Sequence, residues 1–213
     1  MRRSIADRLG ASYREAVHVT ITREIDAERL VGDLEADDER YDVDISLLDR
    51  LLVAVSATLE AHPAFNGTFE EGRHIIYDEH NIAIAVDVED GLLTPVLADV
   101  ASLSVPELAV ERRRLTEIVH TGEYSMSHLQ NGTFTVSNLG PLGVDSFTPV
   151  INPPQVAILG VGRLRDRAHP SGDDVEFRRL LTVDLSFDHR VVDGADAARF
   201  LGTLAGHVEG DDT

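Results

Sequence analysis

The stretch LLTVDLSFDHRVVDGADAARF, residues 180–200, decides the architecture. Its first half alternates. Leu181, Val183, Leu185 and Phe187 point one way, and Thr182, Asp184, Ser186 and Asp188 the other, the period of a strand. Its second half loses that alternation and becomes a helix from about Ala195 to Val208. A strand thus runs into a closing helix, with His189 at the exit and Asp193-Gly194 at the helix start. Two readings of His189 are open. A strand end is a rigid place for a base, and imidazole titrates near neutrality; it is equally a place for an ordinary polar residue. Asp193 reads as the N-cap of the last helix.

Working outward, GTFTVS (132–137) is a strand with Phe134 and Val136 on one side and Thr135 and Ser137 on the other. Ser137 therefore ends a strand just before the turn NLGPLG. Its hydroxyl could act as a nucleophile or donate to an oxyanion, or simply start the turn. VAILGVG (156–162) and FRRLLTVDLSF (177–187) are further strands, and VHVTITREI (17–25) is another. Helices are expected over 4–16, from Ser46 to Pro63 and from Ser104 to about His120. The latter two open on the capping boxes Ser46-x-x-Asp49 and Ser104-x-x-Glu107. A short helix is expected near Asp26, an acidic loop at 35–44, and a strand pair from HIIYD (74–78) and NIAIAVDV (81–88), followed by the turn EDG and LLTPV. Helices and strands mix without strict βαβ alternation, which predicts one α+β domain with a mixed sheet.

Composition narrows the function. Asp and Glu number 38 against 19 basic residues, for a net charge of −19, and all the bases are arginine because the 213 residues include no lysine. Such a surface repels a phosphate backbone, so nucleic acid is an unexpected partner. Acidic excess without lysine resembles proteins of salt-accumulating organisms, whose charge is screened at molar salt. The missing lysine excludes lysine-linked cofactors on this chain. Cysteine is absent, which excludes disulfides and thiolate metal sites. No apolar run is long enough for a membrane span, and the charged N-terminus lacks a signal peptide's apolar middle. A cytoplasmic location is expected.

Weaker signals read as structural. Gly160-x-Gly162 lacks the third glycine of a dinucleotide fingerprint. Asn66-Gly and Asn131-Gly read as turns. Asp78-Glu79-His80 reads as solvated charge rather than a metal site.

Taken together, DHRVVDG and GTFTVSNLGPLGVDSFTPVINPPQVAILGVG (132–162) resemble the catalytic domain of dihydrolipoamide acyltransferases, the core subunits of 2-oxoacid dehydrogenase complexes. RRSIADRLGAS, the strand around HVTI, HPAFNGTF, IIYDEHNIAIAVDVEDGLLTPV and LSVPELAVERRRL extend the likeness, in the family's order, over nearly the whole chain. The resemblance implies the chloramphenicol acetyltransferase fold, a homotrimer, and active sites in channels between subunits. Coenzyme A is implied as a substrate entering from one end, with an acyl-dihydrolipoyl group from the other. It makes His189 the general base and Ser137 the oxyanion donor, and Asp193 a structural residue paired with an arginine, for which Arg8 is the expected partner. Asn138 and Gly140 are expected to shape the turn that aims Ser137 beside coenzyme A. NLGPLGVDSF is closer to acetyl and branched-chain members than to succinyl members.

The chain also departs from the family pattern. It starts at the first helix of the catalytic domain and has no lysine to lipoylate, so the lipoyl group is expected in trans, from a separate lipoyl-domain protein near a 2-oxoacid decarboxylase. No metal is expected. Its end, GHVEGDDT, lacks the apolar tail that holds large family cores together, which favours a lone trimer. The competing reading is a non-catalytic assembly subunit, or an acyltransferase acting on another small acceptor. Retention of both His189 and Ser137 favours catalysis.

Overall fold

The computed structural model describes Gly10 and residues 12–89, 91–172 and 174–210. Gly10 and residues 12–15 are helical, the end of the helix expected over 4–16; residues 4–9, Arg8 included, and residue 11 lie outside the described residues. The elements that follow are β1 (His18–Asp26), α1 (Glu28–Arg40), α2 (Leu47–Ala61), β2 (Gly67–Glu70), β3 (Arg73–Ile76), β4 (Ile82–Ile84), β5 (Val86–Val88), β6 (Gly91–Leu93), β7 (Val96–Leu97), α3 (Val105–His120), β8 (Phe134–Asn138), β9 (Ala157–Ser171), β10 (Asp174–Asp188) and α4 (Gly194–Glu209).

Six strands form a mixed sheet in the order β1-β10-β9-β8-β4-β7. β8 runs parallel to both β4 and β9, and the remaining pairs are antiparallel. Leu181, Val183, Leu185 and Phe187 turn one face of β10 into the core, where α4 packs across β1 and against α2. Phe200 of α4 anchors this layer: its ring lies 4.8 Å from Phe65 and 5.9 Å from Phe134. All three rings are essentially inaccessible, and each such burial contributes about 1.5–3 kcal/mol. Both capping boxes form, at Ser46 and at Ser104. The cap at Ser46 also joins helices, because Arg112 of α3 donates to both oxygens of the buried Asp49.

Five expectations need correction. The segment 35–44 is not a loop. α1 continues to Arg40, because Glu, Ala and Arg favour helix and Asp37, which is buried, takes a bidentate pair from Arg50. The strand of 74–78 does not pair with 81–88; β3 pairs with β2, which starts directly after Asn66, so Asn66-Gly opens a strand. NIAIAVDV itself breaks at Ala85, with β4 joining the main sheet and β5 forming a hairpin with β6. His80 is not solvated: it is 3% exposed, and its Nδ1 shares a hydrogen bond of 2.8 Å with Ser56 Oγ. Finally, β9 runs well beyond its expected end at 162, to Ser171, and pairs with the start of β10 in a long two-stranded arm.

Candidate active site

The polar face of β10 is as buried as the apolar one. Thr182, Asp184, Ser186 and Asp188 are each under 5% exposed. β1 covers part of that face, through Thr20 to Ser186 and Thr22 to Asp184. The segment 145–151 covers more, with Ser146 Oγ and the Phe147 N–H both donating to Asp184. Asp184, Ser186 and Asp188 each have side-chain hydrogen-bond partners, as the cost of an unmade hydrogen bond requires.

His189 leaves β10 on a fixed backbone. Its N–H donates to Val17 O at 2.9 Å, and the residues on either side form a clamp. Arg190 donates through Nε and Nη2 to the Asp188 carboxylate, which also accepts the Val17 and Arg190 N–H groups. The Arg190 guanidinium lies 4.8 Å over the Phe69 ring, a cation–π contact. The imidazole itself is exposed, beside the Phe187 ring at 5.8 Å, and makes no hydrogen bond among the described residues. An anchored backbone with a free ring is what a base awaiting a second reactant needs.

Asp193 caps α4, accepting from the N–H groups of Ala195 at 2.9 Å and Asp196 at 3.1 Å. Those two bonds, with smaller help from Arg199 and His189, hold its carboxyl below the ordinary aspartate range. The capping role read from the sequence is therefore the one the geometry carries. The pairing with Arg8 lies outside the described residues.

Ser137 sits near the end of β8, half-buried, and its hydroxyl has no hydrogen-bond partner among the described residues. The turn after it is set by Asn138, whose Oδ1 accepts the Gly140 N–H at 2.9 Å. Gly140 must be glycine: a Cβ there would meet Gly162 O at 2.6 Å. A register shift between β9 and β10 near Leu181–Val183 bulges the sheet beside this turn.

Register then fixes a distance. Ser137 pairs with Gly160, which pairs with Asp184, so Ser137 and Asp184 share a row two strands apart. His189 lies five residues farther along β10, and β8 and β10 run in opposite directions. Five residues span about 16 Å and two strand spacings about 10 Å. The two side chains therefore stand near opposite ends of one sheet, roughly 19 Å apart by that geometry, and cannot meet in one chain.

Sequence reasoning singled out His189 and Ser137 and gave no role to Asp188, Arg190 or Phe147. The Asp-His-Arg run was the available signal for the first two, an acid and a base flanking the histidine. Burial alone would raise the Asp188 carboxyl, but the hydrogen bonds from Arg190 and Val17 outweigh it and hold it below its ordinary value. A lowered carboxyl contributes its full stability above the unfolded aspartate pKa, about 3.9, and loses it as pH falls through the lower folded value. The cost of Asp188→Asn, about 1–3 kcal/mol for charge-assisted bonds to a buried group, should thus stay constant from pH 5 to 8 and shrink below about pH 4. Chemical denaturation of both proteins across that range checks it.

A cleft of about 1270 Å³ opens elsewhere, lined by residues such as Thr68, Tyr77, Asn81, Met126 and Gln155. Neither His189 nor Ser137 lines it. No group of three or more potential metal ligands occurs among the described residues, and no helix among them is long and apolar enough to cross a membrane.

Comparison with known proteins supplies the context. Residues 1–212 match the model of the 2-oxoacid dehydrogenases acyltransferase catalytic domain. The acetyltransferase component of the Bacillus subtilis acetoin cleaving system is 33% identical over 98% of this chain and 54% of its own length. The chain thus spans about half the length of the curated relatives it matches. Among solved structures, the dihydrolipoamide acetyltransferase of Azotobacter vinelandii is 34% identical, covering 97% of this chain and 87% of that one at a TM-score of 0.92. That structure belongs to a study of the catalytic roles of a serine, a histidine 52 residues later and an asparagine four residues after that. Ser137, His189 and Asp193 stand at the same two spacings. The cubic core of a pyruvate dehydrogenase multienzyme complex is 33% identical, over 97% of this chain and 87% of that one, at a TM-score of 0.93. A chloramphenicol acetyltransferase, 14% identical over 95% of this chain and 94% of its own, shares the fold at a TM-score of 0.62.

Proposed function

The chain belongs to the catalytic-domain family of 2-oxoacid dehydrogenase acyltransferases, and from that premise we propose that it exchanges a small acyl group between a dihydrolipoyl thioester and coenzyme A at a site shared by two subunits of a homotrimer. One observation carries this reading. Ser137 and His189 stand at the spacing of the serine and histidine studied in the Azotobacter relative, yet the sheet register holds them too far apart to act together in one chain. A second copy of the chain brings them together.

The chemistry follows from the groups. His189 takes the proton of the coenzyme A thiol, whose ordinary pKa near 8.5 is within reach of an imidazole base. The thiolate attacks the thioester carbonyl, forming a new carbon–sulfur bond and a tetrahedral oxyanion. The Ser137 hydroxyl of the adjoining subunit donates to that oxyanion. Collapse breaks the old carbon–sulfur bond, and the imidazolium returns its proton to the departing dihydrolipoyl thiolate. One thioester replaces another, so no acyl-enzyme is needed. Asp193 holds the helix that follows His189, standing where the Azotobacter relative has an asparagine. Asn138 and Gly140 set the turn beside Ser137 where coenzyme A would pass. None of these 213 residues is a lysine that could carry a lipoyl group, so the dihydrolipoyl thioester would be presented by a lipoyl domain outside this sequence, alongside a 2-oxoacid decarboxylase. Transfer from S-acetyl-dihydrolipoamide to coenzyme A by the purified protein tests the proposal; no transfer at any salt concentration would favour an assembly role instead.

The charge bears on that assay. With −19 per chain, association brings like charges together, and the Debye length grows from about 3 Å at 1 M salt to about 30 Å at 0.01 M. The trimer should loosen as salt is diluted. Sedimentation through a salt series checks this, and an equally stable trimer at both ends would show the acidity to be neutral to assembly. The same runs show whether trimers build a larger particle.

A further inference from the structure

β10 delivers His189 into a seat made by two segments far apart in sequence. On one side, Val17 O accepts the His189 N–H at 2.9 Å, and the Val17 N–H reaches Asp188 Oδ1 at 3.2 Å. On the other, Val156 O accepts the Asp188 N–H at 2.9 Å. Such a seat is only as rigid as the join between its two halves.

One side chain makes that join. His18 follows Val17 and pairs with Asp188 in the β1–β10 register. Its Nε2 accepts the Ile151 N–H at 3.2 Å. The Ile151 carbonyl is held as well, by Ser12 Oγ at 2.8 Å. Ile151 is 1% exposed, so both of its peptide groups depend on these two side chains. From Ile151 the chain turns through Asn152, whose carbonyl accepts the Gln155 N–H at 3.0 Å, and enters Val156. A tether at 151 is therefore felt at 156. To accept an N–H, Nε2 must be bare, which puts the ring proton on Nδ1, 3.4 Å from Ala16 O. The Tyr13 ring flanks the imidazole at 5.5 Å. His18 is half-buried and has no part in the mechanism above.

We propose that His18 is a positioning residue for the base: its acceptor nitrogen locks residues 16–18 to residues 151–156 and so fixes where His189 stands. This rests on the acyltransferase reading with its shared site. The His189 imidazole makes no hydrogen bond among the described residues, so its backbone seat decides its place. A general base must come within about 2.6–3.2 Å of the group it deprotonates, and a displacement of about 1 Å costs up to about a hundredfold in rate.

Two substitutions separate the acceptor from the ring. His18→Phe keeps a ring beside Tyr13 and loses the acceptor. His18→Gln loses the ring and keeps an acceptor in its amide oxygen. In transfer from S-acetyl-dihydrolipoamide to coenzyme A, His18→Phe should lower kcat about tenfold with a smaller change in KM. His18→Gln should recover most of that loss. The reverse order would make ring packing the role and overturn the proposal.

Reassembled trimers distinguish positioning from general support of the fold. Ser137→Ala chains give the histidine of each restored site, and His189→Ala chains give the serine. Placing His18→Phe in the histidine-giving chain should lower the restored activity several-fold more than placing it in the serine-giving chain. Equal losses from the two placements would show a structural role and overturn the proposal, with the acyltransferase reading intact. Failure of His18→Phe chains to assemble where His18→Gln chains do would overturn it in the same way. If the parent variants rebuild no activity, the shared site falls, and the ratio of His18→Phe to His18→Gln turnover in unmixed protein decides the role of the acceptor. Absence of transfer by the wild-type protein would remove the acyltransferase reading and this proposal together.

Discussion

His189→Ala should lower coenzyme A-dependent acyl transfer by about 10²–10⁴-fold, the range a positioned general base supplies, while leaving the fold and the oligomer intact. The structure explains why the second half of that expectation holds. The imidazole is exposed and makes no hydrogen bond among the described residues, so its loss leaves no buried group unpaired. What holds the segment in place is backbone and neighbours: the His189 N–H on Val17 O, and the Asp188–Arg190 pair. Truncating the ring touches none of these. Transfer from S-acetyl-dihydrolipoamide, measured across pH 5 to 9, is the decisive readout. The Asp188 carboxyl, held below its ordinary value, stays ionised throughout, so the clamp is the same at every point of that range. The variant should be slow at every pH. Turnover near that of the wild type would remove His189 from the chemistry.

How much of this was legible in the sequence depends on the range of each interaction. The strand and helix around His189 were readable because their periods are local: Leu181 to Phe187 alternate in sequence and lie within one strand, Asp174–Asp188. The capping boxes at Ser46 and Ser104 were readable for the same reason, since each closes within four residues. What failed was pairing. HIIYD and NIAIAVDV are adjacent in sequence and both strand-like, yet their partners are β2 on one side and β8 with β7 on the other. Those choices are made by tertiary contacts that no local pattern encodes. Asp184 is the clearest case at the site. Alternation placed it correctly on the polar face of the strand, but that face is solvent-exposed only if nothing covers it. The loop carrying Phe147 comes from 37 residues earlier and turns a surface position into a buried one.

Mixing two inactive proteins should rebuild an active one. Ser137→Ala removes an oxyanion donor and should cost about 10²–10³-fold; His189→Ala removes the base. Each homotrimer is then defective at all three of its interfaces. In trimers reassembled from equal amounts of both, a site is whole when the subunit giving histidine is the serine variant and its neighbour giving serine is the histidine variant. Each condition holds half the time, so about one interface in four is intact around a closed cyclic trimer. Activity should rise from near background to about a quarter of wild type, provided the chains are first dissociated, for which low salt offers the means if charge repulsion weakens the trimer. A simple mixture without dissociation should stay inactive, which controls for leakage between preparations. The sheet register makes the alternative concrete: if Ser137 and His189 served one site within a chain, about 19 Å of β-sheet would have to be bridged, and no hybrid could exceed its parents. Reassembled hybrids as inactive as the separate variants would therefore refute the shared site while leaving the fold assignment untouched.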